Sequence, residues 1–304
     1  MNELFKEYEK GNRLALARLI TIVESRTGHY EEVIEKLYPH LNKTPRIGIT
    51  GPPGVGKSSL VTELVHLLRE THDSLGIIAI DPSSPFTGGA LLGDRIRMNR
   101  ISLDPGVFIR SLATRGSLGG LALATEDTAD LMDGFGCSMI LIETVGVGQV
   151  ELDIVKTADT TMVTLSPESG DSIQAMKAGL MEIGDVFILN KCDRDGADRA
   201  YLEIDTALAH RPIDGWKPPI IKTSAHTGEG IGGLLKAVQK HQEYLQTDNK
   251  IVRNRLERRK AKIKMIVETG LLNNYWSPQA LEKLDDLTRK DISVITAARD
   301  LIED

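Results

Sequence analysis

The chain is poor in cysteine and in aromatic residues, with two Cys and 4% Phe, Trp and Tyr among 304 residues. Cys137 and Cys192 cannot form a disulfide scaffold, so a buried apolar core has to hold the fold, as in a cytoplasmic protein. No run approaches the roughly 18 consecutive apolar residues that a membrane span requires. The opening stretch MNELFKEYEKGNR mixes acids and bases without an apolar segment, so neither a leader nor a membrane role is expected. A net charge of −6 removes the bulk positive field on which nucleic-acid binders rely. The seven His are scattered and no C-x-x-C occurs, so no metal site of familiar spacing is legible. Internal repeats and low-complexity tracts are missing too. The length then allows one large domain with extensions, or at most two domains.

What is present is a recurrence of short β-branched runs. They lie at 46–50 (RIGIT), 76–81 (GIIAID), 106–111 (GVFIRS), 138–144 (SMILIET), 160–166 (TTMVTLS), 185–190 (DVFILN) and 218–224 (PPIIKTS). Helix-length stretches such as KSSLVTELVHLLRE and GIGGLLKAVQKHQEYL fall between them. Strands apolar on both faces that alternate with helices predict a doubly wound, mainly parallel α/β sheet covered on both sides.

Both flanks depart from this alternation. Residues 1–44 read as an N-terminal helical extension, with Leu16, Leu19, Ile20 and Val23 on one helical face and Val33, Ile34 and Leu37 on another, before Pro39 and Pro45. Residues 45–248 hold the strands, and 249–304 read as further helices. The first of these carries Leu256, Ile263 and Ile266 and is expected to stop near Gly270. Between Lys250 and Lys264 it has eight Lys or Arg against one acid, either a solvated face or a docking surface.

The stretch GPPGVGKSS supplies Gly51, Pro52, Pro53, Gly54, Val55, Gly56, Lys57, Ser58 and Ser59 between a strand and a helix. This is the G-x-x-x-x-G-K-[ST] pattern in the strand-loop-helix setting it needs. Its glycines let backbone N–H groups converge on phosphates at a helix N-terminus, Lys57 offers a point charge to the β and γ oxygens, and Ser58 offers a hydroxyl to Mg²⁺. Glu143 ends a later strand, where its carboxylate is expected to hold a water on Mg²⁺ while the Gly146 N–H senses the γ-phosphate.

NKCD, Asn190 to Asp193, follows the sixth run, and TSAHTGEG follows the seventh. Asp193 can accept hydrogen bonds from the N1–H and exocyclic amine of guanine, whereas adenine presents an acceptor there and leaves the carboxylate unpaired. Discrimination of about 10⁴-fold or more is expected from such a group. Lys191 packs its stem along the base, Asn190 braces the loop, and the Ala225 N–H, after Ser224, is expected to meet the guanine O6. Cys192 reads as a spacer.

These motifs, together with DPSSPFTGGALLGDRIRM, ETVGVGQVE and WKPPIIKTSAHTGEGI, resemble the MeaB/MMAA/ArgK family of P-loop GTPases from about Leu14 to Lys240. The resemblance implies a GTPase that binds GTP, GDP and Mg²⁺ and serves as chaperone to an adenosylcobalamin-dependent acyl-CoA mutase, chiefly methylmalonyl-CoA mutase. It also implies a homodimer built on the C-terminal helices, and a cobalamin adenosyltransferase as a further partner. Lys57, Asp94 and Glu143 become the catalytic residues, and Ser58, Asp81, Asp94 and Glu143 the acids and hydroxyl about the metal. Asp94, in a loop with Gly88, Gly89 and Gly93, can equally cap the helix RIRMNR. The segment 166–179 (SPESGDSIQAMKAG, with Lys177) resembles the part through which the family couples nucleotide state to its mutase. His226 departs mildly from the family pattern after TSA. Arg110 or Arg115 either pairs with acids or reaches the γ-phosphate.

One place in the nucleotide-sensing segment is empty. After Gly146 comes Val147, where a GTPase usually has its water-positioning Gln, and Gln149 lies three residues beyond the glycine. Slow hydrolysis by the chain alone is the expectation, with catalytic groups completed against a partner. The competing readings are a GTP-dependent nickel-insertion chaperone, which wants metal ligands, and a small-molecule kinase or transport ATPase, which wants ATP.

Overall fold

Strands whose residues are apolar at successive positions have no polar face to give to water, and here they are buried on both sides. The computed structural model describes the chain apart from residues 27, 42, 82–98, 114–117, 145–149, 169–178, 213–214, 291 and 303–304. Seven strands lie among the described residues: Arg46–Thr50 (β1), Leu75–Asp81 (β2), Val107–Ala113 (β3), Met139–Glu143 (β4), Thr160–Leu165 (β5), Val186–Leu189 (β6) and Ile220–Lys222 (β7). They form one sheet in the order β3-β2-β4-β1-β5-β6-β7, every neighbouring pair parallel. All seven expected runs are strands. The last starts only at Ile220, because Pro218 and Pro219 have no N–H to give to the ladder.

The period of two along each strand divides the core. Ile47, Ile49, Ile77, Leu141 and Met162 face one side, against the helices Lys57–Arg69 (α4) and Ile231–Gln246 (α7). Ile78, Ile80, Ile140 and Ile142 face the other side, against Asn2–Glu9 (α1), Arg13–Ser25 (α2), Tyr30–Leu37 (α3) and Leu118–Gly134 (α5). A third cluster joins Val163, Leu165, Phe187 and Leu189 to Ala197–Ala209 (α6).

The N-terminal helices are part of this packing. Asn12 caps α2, its side chain accepting from Leu14 N at 2.9 Å, and the Tyr8 hydroxyl donates to Leu131 O at 2.8 Å. Leu16, Leu19, Ile20 and Val23 are all fully buried, each worth about 1.5–3 kcal/mol relative to exposure.

By internal contacts the chain divides into Met1–Asn254 and Arg255–Asp304. The helix Lys250–Tyr275 (α8) runs through Gly270 rather than stopping there. Gly270 keeps an ordinary negative φ, so it does not make the left-handed turn of a helix C-cap. The break comes at Ser277-Pro278, where the Ser277 side chain accepts from Ala280 N at 3.2 Å and Pro278 opens the next helix, Pro278–Thr288 (α9). Within the second unit, Lys283 Nζ donates to Asp300 O at 2.7 Å and the Tyr275 hydroxyl donates to Leu301 O, joining α9 and α8 to Val294–Ile302 (α10). Many of its large apolar residues stay largely in solvent, among them Ile263, Val267, Leu271, Leu272 and Ile295.

Candidate functional site

In a doubly wound sheet the chain leaves the central strand in opposite directions, and a crevice opens at the carboxyl ends of the strands where it does so. Here β1 is central, with β4 on one side and β5 on the other. The glycine loop follows β1, Glu143 is the last residue of β4, and Asn190 follows β6. The TSA stretch follows β7.

The loop conformation is forced by its neighbours. Gly51 has φ 137°, and a Cβ there would lie 2.0 Å from Thr164 O of β5, so no other residue fits. Gly56 has φ 95°, and its Cβ would lie 2.5 Å from Asn190 Nδ2. The loop therefore runs pressed against β5 and against the Asn190 side chain. It ends where α4 begins, and the N–H groups of a helix's first turn point out of its end, which suits that terminus to an anion. Lys57 is 6% exposed, and its Nζ donates to Gly51 O at 2.6 Å and to Pro52 O at 2.8 Å, which draws the ammonium back over the loop.

In the first turn of α4, the Ser58 hydroxyl donates to Glu143 Oε1, at the end of β4, at 2.6 Å. The register that pairs Ile49 with Glu143 brings them together. A hydroxyl and a carboxylate are hard oxygen donors, a set that suits Mg²⁺. Behind them the Thr144 hydroxyl donates to the Thr50 hydroxyl at 2.9 Å, tying the two strand ends below the crevice.

Asn190 is the joint of the site. Its Nδ2 donates to Val55 O at 2.8 Å in the glycine loop, and its Oδ1 accepts from the Thr223 hydroxyl and from Ala225 N, each at 3.1 Å. One buried amide thus connects three loops from β1, β6 and β7. The Ala225 N–H, expected at a base, is engaged by Asn190. The next residues form a tight turn in which Lys191 has φ 59° and Arg194 N donates to Lys191 O at 3.1 Å. Cys192 N donates to Thr223 O at 3.0 Å, in keeping with a spacer. The neighbouring Ser224 hydroxyl, and then its own backbone N–H, hold the Asp193 carboxyl below the usual carboxylate range.

Other expected residues fall elsewhere. Asp81 is the last residue of β2. Asp94, Gly146, Val147, Gln149, Lys177, Arg115 and the glycines 88, 89 and 93 lie outside the described residues. Arg110 pairs with Glu24 and donates to Thr21 Oγ1 at 3.2 Å, both on α2, which is the acid pairing of its two readings. Among the described residues no group of three or more His, Cys, Asp and Glu is arranged to hold a metal ion, and no helix is long and apolar enough to cross a membrane. Sequence reasoning missed Glu168, whose carboxylate takes Lys191 Nζ at 2.7 Å. Nothing in SPESGD distinguishes it from a solvent-facing acid.

Residues 16–280 match the family model described as methylmalonyl-CoA mutase-associated GTPase MeaB. A putative GTPase of Pyrococcus horikoshii is 49% identical over 271 residues, covering 88% of this chain and 86% of the relative. The mitochondrial methylmalonic aciduria type A homolog of Mus musculus is 32% identical over 313 residues, covering 96% and 75%. The crystal structure of a LAO/AO transport system kinase superposes with a TM-score of 0.75 at 25% identity, covering 99% of this chain and 96% of that one.

Proposed function

The chain belongs to the MeaB family of P-loop GTPases, and from that premise we propose that it binds GTP with Mg²⁺ and hydrolyses it slowly to GDP, using the nucleotide state to gate cofactor loading and protection of an adenosylcobalamin-dependent acyl-CoA mutase. The observation that carries the reading is the Asn190 joint, because it fastens a phosphate loop to a base-reading loop in a single constellation.

In this reading the triphosphate enters the glycine loop, and its γ-phosphate draws Lys57 Nζ away from the Gly51 and Pro52 carbonyls. The first-turn N–H groups of α4 meet the phosphate oxygens. Guanine lies against the Lys191 stem and gives its N1–H and amine to Asp193, the depressed carboxyl being ionised throughout the physiological range. The Ser58 hydroxyl and Glu143 carboxylate would hold Mg²⁺, with Asp81 and Asp94 as the further acids. The ion would supply charge neutralisation to the phosphates. Val147 stands in the sequence where a GTPase usually has its water-orienting Gln, which supports slow turnover until a client completes the site.

The C-terminal unit supports a homodimer, since Ile263, Val267, Leu271 and Leu272 form an exposed apolar stretch of α8 that a second copy would cover. Cytoplasmic residence and contact with a cobalamin adenosyltransferase complete the reading.

Calorimetry against GTP, GDP and ATP is the first test, with tight guanine binding and weak ATP binding expected. Equal affinity for GTP and ATP, or phosphate transfer to a small molecule, returns the kinase reading. Hydrolysis is then compared with and without methylmalonyl-CoA mutase. Turnover by the chain alone as fast as in the mixture removes the gating role.

A further inference from the structure

We propose that Glu168 is a positioning residue of the guanine loop, holding the Lys191 and Arg194 cations so that the Asp193 carboxylate is left to the base; this rests on the guanine reading above. Glu168 lies three residues beyond β5, on a turn that abuts the whole base loop. A methyl carbon added at Gly196 would sit 4.0 Å from Pro167 Cβ. Glu168 Oε2 accepts from Lys191 Nζ at 2.7 Å, and its Oε1 meets the Arg194 guanidinium.

The sequence of the turn gives such an acid a task. Lys191 and Arg194 lie on either side of Asp193 in the chain, in a turn closed by Arg194 N on Lys191 O at 3.1 Å. Left unpaired, either cation would compete with a ligand for the lone pairs of a carboxylate within its reach. Guanine brings only neutral N–H donors to that edge, so it loses the competition unless the cations are held elsewhere.

Fixing the tip of Lys191 also fixes its stem. Its backbone is in the left-handed region, at φ 59°, an uncommon conformation for a lysine. With the ammonium anchored on Glu168, the methylenes form a platform for the purine face, and their rotamer entropy is lost before the ligand arrives rather than on binding.

The test is titration of mant-GDP at low salt against the wild-type chain, Glu168→Gln, Lys191→Met/Arg194→Met and the triple variant. Glu168→Gln is expected to weaken mant-GDP about 3- to 10-fold, as for a partly exposed charged pair. It should raise KM for GTP far more than it lowers kcat, and leave the melting temperature without added nucleotide unchanged. Glu168→Asp should recover part of the loss. In the background lacking both cations, Glu168→Gln should change nothing further. Losses that add in that background, or a fall confined to kcat, overturn the proposal. Failure of the wild-type chain to bind mant-GDP sinks the guanine reading itself; binding with additive losses removes only the role of Glu168.

Discussion

The sheet-centred unit and the C-terminal helices treat their apolar residues in opposite ways. In Met1–Asn254, the residues of β4, β5 and β6 and the inner face of α2 are buried, from Leu16 to Leu141 and Ile142. In Arg255–Asp304, Leu271 is 65% exposed, Ile295 67% and Val294 82%, while Leu287 and Leu301 are buried. The first unit satisfies its hydrophobic pattern within one chain. The second leaves several of its large apolar side chains uncovered within the chain, which is the pattern that the proposed homodimer would complete. An element can therefore be folded correctly and still be unfinished.

The sharpest way to break this contrast is a large-to-small change in each unit. Leu141→Ala, in the middle of β4, is expected to cost about 2–5 kcal/mol in urea unfolding, because the tightly packed sheet collapses only partly onto the void. A loss under about 1 kcal/mol there would mean that the sheet core is looser than its burial indicates.

The next effect tests a pair inside the first unit, the buried His241 and the half-buried Asp185. His241 Nδ1 lies 2.9 Å from the Thr160 hydroxyl, and its Nε2 lies 3.4 Å from Asp185 Oδ1. Burial pushes His241 down to about 4 and Asp185 up to about 6. The unfolded chain protonates the histidine near 6.5, so His241 opposes folding progressively as pH falls from 6.5 to 4, by about 3 kcal/mol in all. Asp185 acts in the opposite sense, because the fold takes up its proton near 6 and the unfolded chain only near 3.8. His241→Asn should therefore make the unfolding free energy rise as pH falls from 6 to 4, and Asp185→Asn should make it fall. Parallel slopes for the two variants in chemical denaturation would refute the assignment.

Asn190→Ala is expected to cost about 1–3 kcal/mol, since it orphans the Val55 carbonyl and the Ala225 N–H together. Because one amide serves both loops, affinity for GDP and for inorganic pyrophosphate should fall together; loss of one alone would mean that the loops are held independently. The smallest effect belongs to the other unit. Leu271→Ser should leave unfolding within about 0.5 kcal/mol while shifting the sedimentation of the chain toward monomer. An unchanged mass distribution would remove Leu271 from the proposed dimer face.

The strands were legible because each is a short apolar run bounded by turn residues, and their boundaries shifted by only a residue or two. The glycine loop was legible for a related reason: phosphate binding by backbone N–H groups restricts residue type at several consecutive positions. Gly51 and Gly56 show the restriction directly, in the backbone and side chain that a Cβ would strike. Less was legible where a contact joins distant segments. Asp185 and His241 are 56 positions apart and carry no motif, and Glu168 becomes significant only because β5 and β6 are neighbours in the sheet. The end of α8 was misjudged because a glycine reads as a stop wherever it stands, while its φ is set by the surrounding helix.

The sequence by itself determined the sheet, the family and the types of residue at the phosphate and base loops, because those follow from local periodicity and from chemistry confined to a few adjacent positions. Only the tertiary structure decided that Ser58 meets Glu143, that Asn190 connects three loops, that Glu168 takes the cations beside Asp193, and that the apolar face of α8 is left bare. The physical reason is that strand order brings carboxyl ends together across 85 positions of chain, as between Ser58 and Glu143, and no local pattern encodes which ends become neighbours.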